Sequence, residues 1–104
     1  MVRVQMTISG IQDKIKTNDY RFSEHTLKQM ILRRVERYEI TEAILNGKII
    51  EEYPDDKYSP SCLIYGVTSQ GRDLHVVVSL PPKVVVITVY EPNENEWINF
   101  SIRK

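Results

Sequence analysis

Two histidines, a tyrosine and a cluster of cations are the side chains whose types could move protons or hold a phosphate. His25 follows Ser23 by two residues, and Ser23 reads as a helix N-cap, so the imidazole falls in a helix's first turn. The helix dipole there disfavours imidazolium and leaves a neutral nitrogen suited to a general base near neutrality. The alternative is a histidine that only hydrogen-bonds the first turn. His75 and Tyr90 stand in the run Asp73–Glu91, whose two β-branched segments flank Pro81-Pro82. Such runs predict a buried hairpin. Arg33, with Lys28, Arg34 and Arg37, forms the densest local group of cations. It reads as a local nucleic-acid patch or as a solvated helix face.

A turn symmetric about the two prolines sets Ser79 opposite Val84, His75 opposite Thr88 and Asp73 opposite Tyr90. Side chains alternate along a strand, so Leu74, Val76, Val78 and Leu80 then share a core face with Val85, Ile87 and Val89. His75, Val77 and Ser79 share the other, half-polar face with Val84, Val86, Thr88 and Tyr90. A symmetric loop at Ser69-Gln70-Gly71-Arg72 pairs the preceding strand so that Gly66 faces His75. That arrangement places Leu63, Tyr65 and Val67 on the core face and leaves room beside the imidazole, for a ligand or for close packing.

Other chemistry finds little support. Two histidines fifty residues apart and the single Cys62 have no metal-ligand spacing, so no metal and no cofactor are expected. The four glycines are scattered, which rules against a phosphate-binding glycine loop. Cys62 has no partner for an internal disulfide, and a cytoplasmic setting follows as the default. The 104 residues fit one domain, 1–104, with a two-layer core. Fourteen basic residues balance fourteen acidic ones, so no global field draws the chain to nucleic acid or lipid. No apolar run is long enough to span a membrane.

The elements that must position these groups follow from periodicity. Ile8, Ile11 and Ile15 share a helical face, with Ser9 as cap and Asn18-Asp19 as stop. After Ser23 a second helix presents Leu27, Met30 and Ile31 as its apolar stripe. Continuing it would bring Arg34 onto that stripe, so a break near Arg34 is predicted, then a third helix with Ile40, Ala43 and Ile44 inward and Gly47 at its end. From Lys48 the period becomes two: strands over Ile49–Tyr53 and Ser61–Thr68, separated by a turn at Pro54-Asp55-Asp56, lead into the hairpin. The tail alternates Ile98, Phe100 and Ile102 after Trp97. It reads as an edge strand, a cover for the half-polar face, or a segment docked on another chain.

These residues resemble a known family. Phe22-Ser23-Glu24-His25, Met30, Arg33, Glu42-Ala43-Ile44 and Asn46 through Asp56 match, in order, the small bacterial domain of unknown function 4258. Pro60-Ser61-Cys62-Leu63, Leu74-His75-Val76-Val77 and Ile87 through Pro92 continue the match, so that it covers about Tyr20 to Trp97. Gln29 and Arg34 depart from it. That family resembles the plasmid toxins that include RelE/ParE-like and BrnT-like proteins. The resemblance implies an α+β fold, N-terminal helices packed on one face of a four-stranded antiparallel sheet, and the toxin half of a type II toxin–antitoxin pair. It carries the catalytic positions over to His25, Arg33, His75 and Tyr90: histidines as base and acid, Arg33 on the phosphate, Tyr90 as second proton donor or stacking ring. A metal-independent endoribonuclease acting on mRNA, with RNA or the ribosome as target and a cognate antitoxin as partner, is one expectation. The alternative is a non-catalytic protein–protein interaction module, with a homodimer among its forms. The catalytic expectation requires the two histidines to approach each other.

Overall fold

The computed structural model describes residues 6–57 and 59–104. Helix α1 (Ile8–Lys16) starts from Thr7 rather than Ser9 and buries Ile11 and Ile15. Strand β1 (Tyr20–Phe22), helix α2 (Glu24–Arg33), helix α3 (Arg37–Leu45) and strand β2 (Lys48–Tyr53) follow. Strands β3 (Ser61–Val67), β4 (Asp73–Ser79) and β5 (Val84–Tyr90) complete the sheet, and a small hairpin of β6 (Trp97–Ile98) and β7 (Ile102–Arg103) ends the chain.

The sheet is five-stranded and mixed, in the order β1-β5-β4-β3-β2. The expected four-stranded antiparallel sheet is therefore corrected by one strand: β1 runs parallel to β5, with Tyr20, Arg21 and Phe22 beside Val84, Val85 and Val86. Three residues between two helices are too few for a period-two signal, which is why the pattern leaves this strand unassigned. Antiparallel pairing of β2 to β5 is as predicted, and α1 and α3 pack on one face of it. The core there is Ile11, Ile15, Ile40, Ala43 and Ile44 against Cys62, Ile64, Leu74, Val76, Val78, Val84, Val86 and Val89.

Two registers differ from the symmetric expectation. Tyr65, not Gly66, lies opposite His75. A one-residue slip exchanges faces, so Cys62, Ile64 and Gly66 meet the helices while Leu63 and Tyr65 join His75. Gly66 opens no space beside the imidazole; it lets α3 approach the strand. In the hairpin, Val77 pairs with Thr88 but Val78 pairs with Val86, which leaves Ile87 as a bulge. A one-residue slip at the turn, where Val78 meets Val86 rather than Val85, brings Val84 and Val86 into the core and turns Val85 out of it. The bulge adds a second residue, so that Tyr90, rather than Thr88, lies opposite His75.

Helix α2 is rotated from its expected orientation. Ser23 caps it as predicted, its Oγ accepting from the Thr26 N–H at 3.0 Å, but Ser23 also donates to the Ile87 carbonyl at 2.8 Å. The buried Thr26 hydroxyl donates to the Val86 carbonyl at 2.8 Å. These polar ties hold the Thr26–Met30 side against β5, so that of the predicted stripe Met30 packs against the core while Leu27 and Ile31 turn outward. Leu27 is 48 % exposed, Ile31 80 % and Leu32 76 %. Ser23→Ala removes the cap and the β5 anchor together. It is expected to cost about 1 to 2 kcal/mol, at the upper end for a helix cap, measured by urea unfolding. The predicted break occurs at Arg34, the C-cap residue, with left-handed φ of 53°.

Candidate functional site

The half-polar face of the sheet gathers Glu51, Tyr53, Leu63, Tyr65, His75 and Tyr90, and the tail covers it. Asn99 (φ 51°) and Phe100 (φ 58°) make the tight turn between β6 and β7, which folds the hairpin over β4. Trp97 is buried against the imidazole, edge-to-face at 4.6 Å between ring centroids. The tail is thus a cover for this face, one of its three expected roles. Arg103 secures the end: its guanidinium lies 4.5 Å over the Trp97 ring and makes two bonds to the Glu51 carboxylate, at 3.0 and 3.1 Å. That contact holds the Glu51 carboxyl below its ordinary pKa, and Tyr53 adds a second donor at 2.6 Å.

His75 sits at the centre and is 0 % exposed. The Phe100 carbonyl lies 2.7 Å from Nε2 and can only accept, so neutral His75 carries its proton there. Nδ1 is then the acceptor for the Tyr90 hydroxyl at 3.2 Å. Tyr90 and Tyr65 flank the ring edge-to-face, with centroids 5.2 and 5.7 Å away, and Tyr65 donates to Asp73 at 2.6 Å. Burial depresses the His75 pKa, opposed by the bond to Phe100, and burial raises that of Tyr90.

The sign of the resulting pH dependence follows. With a folded-state pKa below 6.5, the unfolded chain binds more protons between the two values, so stability falls as pH drops through that window. Trp97 is the only tryptophan and touches the ring, so its fluorescence reports the site. The wild type is expected to lose stability from about pH 6.5 downward. A His75→Gln variant should lack that part of the slope in urea titrations read at Trp97.

The structure joins two of the four sequence-predicted residues and brings a third near them. Arg33 closes α2 with its Nε bonded to Gln29 Oε1. With Tyr90, Asn93, Glu96, Trp97 and Arg103 it lines an open cleft of about 350 Å³. His25 stands apart in the first turn of α2, exposed, with no side-chain hydrogen bond or ion pair among the described residues. Eight residues of helix, about 12 Å of rise, separate it from Arg33. Nor do the other cations converge: Lys28 lies 4.0 Å from Glu24, and Arg37 lies over the Tyr20 and Phe22 rings at 5.3 and 5.6 Å. Among the described residues no histidine, cysteine and carboxylate group could hold a metal ion. Cys62 is buried under the helices, its thiol pushed up to about 12 by desolvation, which makes it a packing residue. No helix among the described residues is long and apolar enough to cross a membrane.

Arg72 is the positioning residue that sequence reasoning missed. Its Nη1 donates to the Arg34 carbonyl at 2.8 Å and to both Glu39 oxygens at 3.1 and 3.2 Å. Nη2 donates to the Arg33 carbonyl at 2.8 Å and to Glu91 at 2.9 Å. One guanidinium thus ties the end of α2, the start of α3 and the end of β5. An arginine after a loop glycine carries no local signal of that role.

No curated protein and no solved structure is significantly similar to the chain. A family model, described as a domain of unknown function, DUF4258, matches residues 22–91, from the end of β1 to just past β5. That span includes His25, Arg33, Arg72, His75 and Tyr90, and excludes the tail that covers His75. The chain belongs to the DUF4258 family.

Proposed function

We propose that this chain is a toxin-like protein-interaction module whose working surface is the outer face of α2. The observation that carries the reading is the contrast between two groups of side chains. Leu27, Ile31 and Leu32 are 48 to 80 % exposed on one short helix, while His75 is 0 % exposed with both ring nitrogens engaged. Large apolar side chains gathered on a surface mark contact sites, and a buried, hydrogen-bonded imidazole serves packing and tail attachment. The toxin-like part of the reading rests on the motif resemblance to RelE/ParE-like and BrnT-like proteins, which also supplies an antitoxin as the natural partner.

One observation favours the endoribonuclease reading as a second choice: Arg33, Tyr90 and Arg103 share a cleft beside His75. There Arg33 and Arg103 would neutralise a phosphate and Tyr90 would protonate a leaving oxygen. His75 would take part only after Phe100 left Nε2.

Controlled expression in a bacterial host separates the two. Wild type, Leu27→Glu, Ile31→Glu, Tyr90→Phe and Arg33→Ala are compared at matched soluble levels. The module reading expects any growth defect to be relieved by the α2 changes and retained by Tyr90→Phe and Arg33→Ala. Relief by the latter pair, with folding intact, would favour the nuclease.

A further inference from the structure

The outer face of α2 is self-complementary. At 100° per residue, Leu27, Ile31, Glu24 and Lys28 of α2 fall within an arc of roughly 100°, and Arg34, the left-handed C-cap residue, follows at the end of the helix. Along the axis Glu24 stands at the start, Leu27 and Ile31 in the middle with Lys28 at their edge, paired to Glu24 of its own helix, and Arg34 at the end. All five residues are exposed. Glu24 has only Lys28, at 4.0 Å, as an ion-pair partner, and the Arg34 side chain has none among the described residues.

We propose that two copies of this chain pair through α2 in antiparallel fashion about a two-fold axis; this rests on reading the outer face of α2 as the binding surface. An antiparallel pair centred on position 29 sets Leu27 against Ile31 of the second copy, and Ile31 against its Leu27. The same register sets Glu24 against Arg34 of the second copy and Arg34 against its Glu24. Each contact occurs twice because a two-fold interface presents the same patch from both sides. The apolar centre supplies attraction through burial, and the flanking charges fix direction and register, as they do in coiled coils. A parallel pair would set Glu24 against Glu24 and Arg34 against Arg34, so charge selects the antiparallel form.

A second copy fits this face better than a generic acidic helix does. Lys28 and Arg34 would suit an acidic partner, but Glu24 would oppose it, whereas the antiparallel register gives both signs a counterpart. The ten residues of α2 span only about 15 Å, short of the roughly 800 Å² per partner of a standard interface. The dimer is therefore weak and concentration-dependent.

Sedimentation equilibrium of the full chain from about 1 µM to about 1 mM tests this, a range that brackets a weak interface. Wild type is expected to shift from monomer to dimer within that range. Ile31→Glu should remain monomeric with an unchanged far-UV spectrum. Glu24→Arg and Arg34→Glu, each of which sets like charges together, should each weaken the dimer at least about tenfold. The double variant Glu24→Arg/Arg34→Glu restores opposite charges and should regain most of the affinity. A wild-type monomer throughout, or a dimer indifferent to these changes, overturns the proposal. So does a chain that stays monomeric alone but binds an acidic helical peptide through α2, a result that would leave the interaction-module reading intact.

Discussion

Arg72→Ala is expected to lower the free energy of unfolding by about 3 kcal/mol, the lower end of the range for breaking a buried ion pair. The change leaves the Glu39 carboxylate, 5 % exposed, without its cation, and strips two terminal α2 carbonyls of their donor. Glu39 is poorly placed to compensate, because the same carboxylate already accepts from the Glu36 N–H and closes the capping box of α3. Part of the interaction survives in Arg72→Lys, which keeps a charge but lacks the planar fork that reaches both helices. Urea unfolding followed at Trp97 provides the measurement. A loss under about 1 kcal/mol for Arg72→Ala would show that the pair is solvated and that α2 is held by other contacts. The consequence extends to function, since this guanidinium sets the end of the helix whose outer face is the proposed binding surface.

Gly66→Ala is expected to be at least as damaging, at about 3 kcal/mol or more, the upper end for overpacking. A methyl group at Gly66 would come within 2.5 Å of the Ala43 carbonyl carbon and 2.7 Å of its Cα. Both are backbone atoms of α3, so no side chain can rotate away and the helix itself must lift from β3. Gly47 is confined in the same way, where a methyl would lie 2.8 Å from the Tyr65 carbonyl oxygen. Gly66→Ala should therefore reduce both the urea midpoint and the soluble yield. Wild-type stability in this variant would mean that α3 packs at a greater distance from the strand than described.

Where the sequence was readable, the reason is periodicity. Ile40, Ala43 and Ile44 are spaced for one helical face and lie fully buried, and the long β-branched runs on either side of Pro81-Pro82 form β4 and β5. Ser23 and Arg34 mark the two ends of α2, because a capping hydroxyl and a misplaced charge are local signals. What failed depends on contacts distant in sequence. The outward rotation of α2 is decided by Ser23 and Thr26 bonding to carbonyls more than sixty positions and sixty positions away, respectively. The bulge at Ile87 and the Tyr65–His75 pairing depend on turn geometry, so alternation alone assigned the wrong side chains to the core. For the candidate site, His75 and Tyr90 could be placed on one face from the pattern. Their closure beneath Trp97, Phe100 and Arg103 could not, since the place of the tail had no local signal.

The measurement that bears most directly on the interaction-module reading is RNA integrity in the presence of the purified chain. Single-stranded and structured RNAs are incubated without added metal, at low salt, with wild type and with Tyr90→Phe shown to be folded by Trp97 fluorescence. A non-catalytic module whose His75 holds the tail predicts the same intact RNA in both samples, matching the buffer control. Cleavage by wild type that Tyr90→Phe abolishes would contradict it and assign the cleft beside His75 to catalysis.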